Sequence, residues 1–423
     1  MSADASIAAL QLARVRVLIE RSLESNPFYG EKLREAGVRG TPESLAEFSS
    51  STPFTFKSDF VEDQHDHPPY GTNRSQPLGD YCRMHQTSGT TAAPLRWLDT
   101  HESWSGLLDS WVRVFEESGV TAADRVMFPF AFGPFCGFWM AFEAAVRMGA
   151  MALPAGGLRS AGRLEMLLAN EATVVCATPT YAVRLGQAAR EEGFDLTRSK
   201  VRTILVAGEP GGSIPSTRAL IEELWPGARV KDHHGMTEVG PVTYECKNKV
   251  GRLHVMEDAY LAEILDTETL EPVVSGESGE LVLTTLGRVA CPAIRYRTRD
   301  IVRRGADGVC ECGSQELALE GGIVGRADDM ASIRGVNVYP SAVEDVVRAD
   351  GGVAEFRVKI SGDAGLKSIA LEVEPTGGVD GAVLAPRLED ALHRALGLRF
   401  QVDAVAPGSL PRFEAKAKRW VQV

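Results

Sequence analysis

A hydroxyl-rich loop is the first candidate for chemistry in this chain. Residues 85–94 read His-Gln-Thr-Ser-Gly-Thr-Thr-Ala-Ala-Pro. Glycine lets the backbone approach a ligand closely, successive N–H groups form an anion-binding nest, and hydroxyl side chains add donors. The loop therefore predicts a polyphosphate-binding segment, although an ordinary solvated turn has the same composition. The candidate residues are Thr87, Ser88, Gly89, Thr90 and Thr91.

Two later segments carry acids that nucleotide chemistry needs. Residues 232–238 read Asp-His-His-Gly-Met-Thr-Glu and follow a strand-like run. The carboxyl ends of strands in open α/β sheets bind ligands, so Glu238 can offer Mg²⁺ a hard oxygen and Thr237 can bond a phosphate. Residues 295–300 read Arg-Tyr-Arg-Thr-Arg-Asp, where Asp300 can accept ribose hydroxyls. Taken singly, the first segment also fits a helix N-cap and the second a charged edge strand.

A further segment is typical of a hinge. Residues 325–330 read Gly-Arg-Ala-Asp-Asp-Met and lead into Ile-Arg-Gly-Val-Asn-Val-Tyr-Pro at 333–340. A few boundary residues can absorb a large change in backbone dihedrals, so an Asp pair between domains suits such a hinge. A plain inter-domain turn is the alternative.

Apolar periodicity predicts the elements that must carry these groups. Strand-like runs at 125–130, 150–154, 173–177 and 203–207 alternate with helical runs at 163–170, 181–191 and 216–224. This alternation favours a parallel sheet covered by helices. Closely spaced strands at 260–265, 279–285 and 293–298 then predict a distorted barrel or antiparallel sheet. After residue 325 the expected order is hairpin, helix, strands, helix and strand.

The predicted fold class is therefore α/β. We expect a large N-terminal domain, residues 1–325, with α/β sheets and a distorted β-barrel part. Residues 326–423 would form a small mobile α+β C-terminal domain.

Composition narrows the function classes. The 423 residues carry a net charge of −12, which argues against nucleic-acid or anionic-membrane binding. Arginines interrupt the amphipathic helix predicted for residues 1–23, and no apolar run reaches membrane-spanning length. The expectation is a cytoplasmic protein. Seven scattered cysteines do not suggest a disulfide framework.

The order and spacing of these segments resemble the adenylate-forming superfamily of acyl-CoA synthetases, peptide-synthetase adenylation domains and luciferases. The chain is most similar to the phenylacetate–CoA ligase branch in Asn-Pro-Phe-Tyr at 26–29, Gly-Glu-Pro at 208–210, and the tail Leu-Pro-Arg-Phe-Glu-Ala-Lys-Ala-Lys-Arg at 410–419. The resemblance covers nearly the whole chain. It implies that a carboxylate attacks the α-phosphorus of ATP, giving an acyl-adenylate and pyrophosphate. A thiol of CoA or of an acyl-carrier protein then displaces AMP.

The resemblance also implies roles for individual residues. The hydroxyl-rich loop holds the β- and γ-phosphates, Thr237 meets the α-phosphate and Glu238 holds Mg²⁺. Lys416 matches the adenylation lysine, whose ammonium bridges the acyl carboxylate and the α-phosphate. Asp328 matches the hinge about which the small domain rotates between half-reactions, and a homodimer is expected. The other matched nucleotide-binding positions are Gly208, Glu209, Pro210, His233, His234, Gly235, Met236, Asp300 and Arg326.

Three positions depart from the family pattern. Ala92 and Ala93 stand where the family usually has Gly followed by Lys or Arg, and Arg299 and Ala415 each stand where Gly is usual. These departures leave open a nucleotide-binding relative without turnover. An adenylating enzyme with an amine or hydroxyl acceptor is a second alternative. We favour an active enzyme because the acids and the lysine that carry the chemistry are retained.

An aromatic-rich segment at 128–139 suggests the acid. It can line a pocket for an aromatic acid, although such rings also pack in cores. The branch favours a substituted benzoate or arylacetate and a role in the biosynthesis of aromatic metabolites. The candidate substrate residues are Phe132, Phe135, Gly137, Tyr181 and Gly235.

Four residues have the ligand types of a closed tetrahedral zinc site. They are Cys246, His254, Cys310 and Cys312. Three thiolates and one imidazole make a structural Zn²⁺ site, whereas free cysteines are otherwise small buried hydrophobes. The expected ion would tie the loop after residue 238 to the loop after residue 300.

Overall fold

A computed structural model describes residues 3–87, 94–333, 336–361, 368–413 and 416–423. The helices are α1 (Ala3–Ser25), α2 (Pro27–Glu35), α3 (Leu45–Ser51), α4 (Lys57–Asp66), α5 (His101–Glu117), α6 (Cys136–Arg147), α7 (Ser160–Ala169), α8 (Pro179–Glu192), α9 (Pro215–Leu224), α10 (Pro340–Ala349) and α11 (Gly381–Leu396). Within the described ranges, no helix is long and apolar enough to span a membrane.

The strands include several short pairs near the predicted site. They are β1 (Tyr81–Gln86), β2 (Arg96–Thr100), β3 (Arg125–Phe128), β4 (Met151–Pro154), β5 (Val174–Ala177), β6 (Thr203–Val206), β7 (Arg229–Asp232), β8 (Gly235–Met236), β9 (Gly240–Pro241), β10 (Thr243–Glu245), β11 (Arg252–Val255), β12 (Tyr260–Leu265), β13 (Ser278–Thr285), β14 (Tyr296–Arg304), β15 (Ala318–Arg326), β16 (Ala331–Ile333), β17 (Val336–Val338), β18 (Val353–Ser361), β19 (Ser368–Pro375), β20 (Gln401–Ala404) and β21 (Trp420–Gln422).

The chain divides into two compact units, each made of two separate segments. Unit 1 comprises Met1–Gly157 and Asp232–Gly322, and unit 2 comprises Leu158–Lys231 and Ile323–Val423. The last crossing between the units falls inside β15. The division into domains 1–325 and 326–423 stays a prediction.

Unit 1 contains the curled sheet. Its six strands have the order β10-β11-β15-β14-β13-β12, and the pairs β10–β11, β11–β15, β12–β13 and β13–β14 are antiparallel. Strand β3 pairs in parallel with β4, and its side chains at Val126, Met127 and Phe128 are fully buried. Burial on both faces is what a parallel strand covered by helices requires.

Unit 2 has two sheet regions. The parallel strands β5 and β6 are buried along their whole length, which explains their uninterrupted apolar sequences. The second region has the order β20-β19-β18-β21, with α10 and α11 contributing to its apolar core. Burial mostly alternates along β18, as expected for a strand with one face on a core.

The predicted fold class is confirmed, and so is the order of elements after residue 325. The strand predicted at 260–265 coincides with β12. The strand predicted at 293–298 was misplaced, because β14 begins at Tyr296 and runs to Arg304. Arg295, with φ of 44°, is in the left-handed region and cannot extend a strand, so the strand begins just after it.

Candidate active site

The hydroxyl-rich loop leaves unit 1 from the end of a hairpin. Strands β1 and β2 pair up to Gln86 and Arg96. Beyond them, the Thr87 N–H donates to the Leu95 carbonyl at 2.9 Å, and the Leu95 N–H donates to Oγ1 of Thr87 at 3.1 Å. These two bonds fix where the loop begins and ends. Ser88, Gly89, Thr90 and Thr91 lie outside the described residues, as do Ala92 and Ala93.

Thr237 and Glu238 lie in the turn of a very short hairpin. Strand β8 pairs with β9, so the predicted helix N-cap alternative does not apply here. Glycine is required at position 235, because a Cβ there would lie 2.8 Å from the Gly240 carbonyl oxygen. The hairpin therefore projects Thr237 and Glu238 as a compact pair of ligand groups.

Buried side chains hold this turn. Nη1 of Arg288 donates to the Thr237 carbonyl at 2.7 Å, and the Tyr260 hydroxyl donates to the Val239 carbonyl at 2.9 Å. Asp99 binds Arg288 through both carboxylate oxygens, at 2.7 and 2.5 Å. Both charged side chains are almost fully buried, so losing either would leave an uncompensated buried charge.

Glu238 has a cationic neighbour that the sequence did not suggest. Nζ of Lys57, at the start of α4, lies 3.3 Å from Oε1 of Glu238, and the Tyr296 hydroxyl lies 3.4 Å from the same oxygen. Glu238 is only 4% exposed, whereas half of the Lys57 side chain is exposed. No sequence motif links these two positions.

Asp300 faces His234 across unit 1. Nε2 of His234 lies 2.9 Å from Oδ2 of Asp300, and the Thr298 hydroxyl accepts the Asp300 N–H at 3.0 Å. His233 instead packs against Trp111, with ring centroids 4.4 Å apart. Burial lowers the pKa of His233 to about 3, with a further contribution from His234, so its ring is neutral at pH 7.

A bulge in β14 presents Asp300. Glu280 pairs with Ile301 and Val282 pairs with Arg297, so residues 298–300 lie opposite the single residue 281. Within this bulge Arg299 has φ of 66°, a left-handed conformation that favours glycine. The departure from the family's glycine is therefore accommodated at the cost of backbone strain.

Arg299→Gly is expected to stabilise the protein by about 1 kcal/mol, because it removes a left-handed non-glycine residue. The Arg299 side chain is half exposed and its nearest Glu280 oxygen is 4.0 Å away, so little is lost with it. Arg303→Gly in the same strand is the matched control and should destabilise the protein. Urea unfolding measures both, and a destabilised Arg299→Gly variant would contradict the strain argument.

In unit 2, the predicted lysine lies beside the Gly-Glu-Pro segment. Gly208 has φ of 94°, and a Cβ built on it would lie 3.6 Å from Cε of Lys416. Oε2 of Glu209 accepts the Ala417 N–H at 2.9 Å. Pro210 is exposed in the same loop. The structure thus brings together two sequence-predicted segments that are 208 residues apart.

The predicted hinge residue pairs with a predicted nucleotide residue. Nε and Nη2 of Arg326 donate to the two carboxylate oxygens of Asp328 at 3.0 and 3.1 Å. Asp328 remains more than half exposed. The hinge and nucleotide roles of these residues stay predictions.

The aromatic segment forms a cluster in unit 1. Phe130 stacks on Phe138 with centroids 4.0 Å apart, and Phe132 contacts Trp139 at 4.8 Å. Phe135 is 37% exposed, and Gly137, in the first turn of α6, is also exposed.

Tyr181 lies in unit 2 and is 2% exposed. Its hydroxyl accepts a hydrogen bond from Arg163, whose guanidinium also lies over the Tyr181 ring. The substrate roles of Tyr181 and of the aromatic residues in unit 1 stay predictions.

The four proposed zinc ligands lie together in unit 1. Their candidate ligand atoms are all within 4.8 Å of one another. Sγ of Cys246 is 3.7 Å from Sγ of Cys310, and Sγ of Cys312 is 3.4 Å from Nε2 of His254. Two chain segments far apart in sequence therefore meet at one cluster.

Neighbouring groups favour a thiolate and a defined imidazole tautomer. Burial raises the pKa of the Cys310 thiol, but hydrogen bonds from Arg252 and the neighbouring cysteines together lower it to about 6. Nδ1 of His254 lies 3.2 Å from the Glu316 carbonyl oxygen, so it carries the proton and leaves Nε2 as the acceptor.

Comparisons with known proteins agree with this arrangement. Residues 1–287 match the AMP-binding enzyme family, and residues 335–422 match the AMP-binding enzyme C-terminal domain. Phenylacetate-coenzyme A ligase of Pseudomonas putida is 28% identical over 98% of this chain and 94% of its own length. The Thermus thermophilus phenylacetate-coenzyme A ligase is 29% identical over 98% and 95%. A structure of 2-hydroxyisobutyryl-CoA ligase with 2-HIB-AMP gives a TM-score of 0.93 at 29% identity, covering 98% of this chain and 89% of that one.

The chain belongs to the AMP-binding enzyme family, which is the adenylate-forming superfamily that the motifs resemble. Within it, the chain lies in the phenylacetate–CoA ligase-like branch. The prediction of an AMP-forming acid–thiol ligase is confirmed.

Proposed function

We propose that the enzyme uses ATP to activate an aromatic carboxylic acid, of the substituted benzoate or arylacetate type, and transfers the acyl group to coenzyme A. The observation that carries this proposal is the approach of Lys416 to Gly208 in unit 2. It brings a flexible ammonium to the segment that the family resemblance assigns to the adenine site. The acceptor is inferred from relatives named phenylacetate-coenzyme A ligases.

In the first half-reaction, a carboxylate oxygen attacks the α-phosphorus and the bond to the bridging oxygen of pyrophosphate breaks. Both reactants are anions, so cations must offset their repulsion. The Lys416 ammonium would do this at the acyl carboxylate and the α-phosphate. The Thr87–Leu95 closure supports a fixed origin for the phosphate-binding loop.

Glu238 fits a role as the protein ligand of Mg²⁺. Mg²⁺ commonly takes one or two carboxylates and completes its shell with water and phosphate oxygens. A cation 3.3 Å from Glu238 already compensates this buried carboxylate, as the buried charge requires. When bound, Mg²⁺ supplies charge neutralisation at the phosphates, while Arg288 and Tyr260 keep the turn in place.

Asp300 would bind the ribose hydroxyls. Its hydrogen bond with His234 orients the carboxylate, and the bulge of β14 presents it. In the second half-reaction the thiol attacks the acyl carbon and AMP leaves. Rotation about Asp328 between the half-reactions belongs to the same proposal.

The cysteine cluster fits structural Zn²⁺. Tetrahedral bonds of the usual Zn–S and Zn–N lengths put two sulfurs about 3.8 Å apart and a sulfur and a nitrogen about 3.6 Å apart. The observed separations are 3.7 Å and 3.4 Å. The His254 bond to the Glu316 carbonyl supplies the outer-shell contact that such imidazoles have.

An acid panel tests the substrate class. AMP formation with ATP and CoA should be at least about tenfold more efficient, as kcat/KM, with the best arylacetate or benzoate than with 2-hydroxyisobutyrate. The exposed edge of the aromatic cluster at Phe135 supports this order. A higher value for the aliphatic hydroxy acid would contradict the proposed acid.

The acceptor is tested in the same assay. Replacing CoA by a phosphopantetheinylated carrier protein should leave little product, and product formed as readily with the carrier would overturn CoA as acceptor. The homodimer stays a prediction for measurement by light scattering.

A further inference from the structure

The Glu209 carboxylate joins two parts of unit 2 that are distant in sequence. Its Oε1 accepts the Thr180 N–H and its Oε2 accepts the Ala417 N–H, each at 2.9 Å. The residue is half-buried, and burial raises the pKa of Glu209 while these bonds oppose the rise. One side chain therefore links the start of α8 to the segment that carries Lys416.

The N-terminus of α8 is suited to hold this carboxylate. Pro179 occupies the first position and has no N–H, and the Thr178 hydroxyl caps the Tyr181 N–H at 3.2 Å. The Thr180 N–H is thereby left for Glu209, at the positive end of the helix dipole. The carboxylate is thus fixed before it meets Ala417.

The chain after Lys416 is anchored on its other side. Nε of Arg419 donates to Glu355 at 2.7 Å, and the following strand β21 pairs in parallel with β18. Residues 416–418 therefore lie between a fixed strand and the Glu209 contact. Because the Ala417 N–H belongs to the peptide that follows Lys416, its bond to Glu209 orients the backbone from which the lysine projects.

We propose that Glu209 is a positioning residue that holds Lys416 for adenylation and does not serve thiol transfer. This inference rests on the proposed function. Both carboxylate oxygens are bonded to backbone N–H groups, so the Glu209 side chain acts on the lysine segment rather than as a polar contact to adenine. If the small domain rotates, the Ala417 bond must break, and the bond therefore favours the first half-reaction alone.

Glu209→Gln tests this with little change in shape, because the amide offers one carbonyl acceptor for two donors. Pyrophosphate release should fall about tenfold or more, as expected for losing a hydrogen bond to a charged group. Thioester formation from supplied acyl-adenylate and CoA should stay within about twofold of wild type. Glu191→Gln, which removes an exposed acid from the last turn of α8, should leave both rates unchanged.

An equal fall in both half-reactions, or no fall in either, overturns the proposal. A raised KM for ATP with unchanged kcat also overturns it, because that pattern indicates an adenine contact. Trypsin cleavage at the exposed Lys416 and Lys418 reads the same bond without substrate. Cleavage should be faster in Glu209→Gln and in Glu209→Asp, and unchanged cleavage contradicts the proposal even where no acid is turned over. Absence of wild-type turnover with every acid would count against the proposed function alone.

Discussion

Lys416→Ala is expected to abolish adenylate formation and to spare transfer from a supplied acyl-adenylate to the thiol. The ammonium offsets the repulsion between the carboxylate and the α-phosphate only while the first bond forms. Removing one such charge-stabilising group typically costs about a hundred- to thousandfold in rate. Pyrophosphate release and single-turnover thioester formation measure the two steps separately.

Lys418→Ala is the matched control for this prediction. Lys418 is also exposed and lies two residues further along the same segment. Its loss should leave both half-reactions near wild type. Normal pyrophosphate release in Lys416→Ala, or its loss in Lys418→Ala, would move the adenylation role to the other lysine.

Cys310→Ser is expected to remove zinc and to destabilise the protein. Wild type should contain about one zinc ion per chain, because the cluster supplies a closed set of four ligands. A ligand present at about a thousand times its dissociation constant stabilises the folded state by about 4 kcal/mol. Metal analysis and thermal unfolding measure the two effects, and a chelator should lower the melting temperature of wild type far more than that of the variant.

Cys82→Ser is the control for the zinc prediction. Cys82 is exposed and lies outside the cluster, so its loss should change neither zinc content nor melting temperature. Wild type that holds no zinc after purification in zinc-supplemented medium, or Cys310→Ser that keeps it, would leave the four residues as a reduced, metal-free cluster.

The sequence was most informative where local pattern and motif agree. The buried runs of β5 and β6, the alternation along β18 and the limits of β12 follow from periodicity. The four cysteine and histidine ligands could be chosen by residue type alone, since few side chains bind zinc. Family motifs supplied the remaining candidates.

Contacts between distant segments could not be predicted in this way. Lys57 with Glu238, Asp99 with Arg288, and Glu209 with Ala417 each join residues that no periodic pattern relates. Such pairs are set by tertiary packing, and their energies depend on burial that a single sequence does not reveal. The misplaced start of β14 has the same origin, because the Arg295 conformation depends on its contacts with Glu263 and Phe54.

The most direct test of an aryl-acid adenylating enzyme is acid-dependent exchange between pyrophosphate and ATP in the absence of any thiol. Exchange requires reversible formation of the acyl-adenylate and nothing later. We expect exchange that depends on an arylacetate or benzoate and on Mg²⁺, and that Lys416→Ala abolishes. ATP binding with no exchange for any acid, in protein with an intact melting transition, would contradict the central claim.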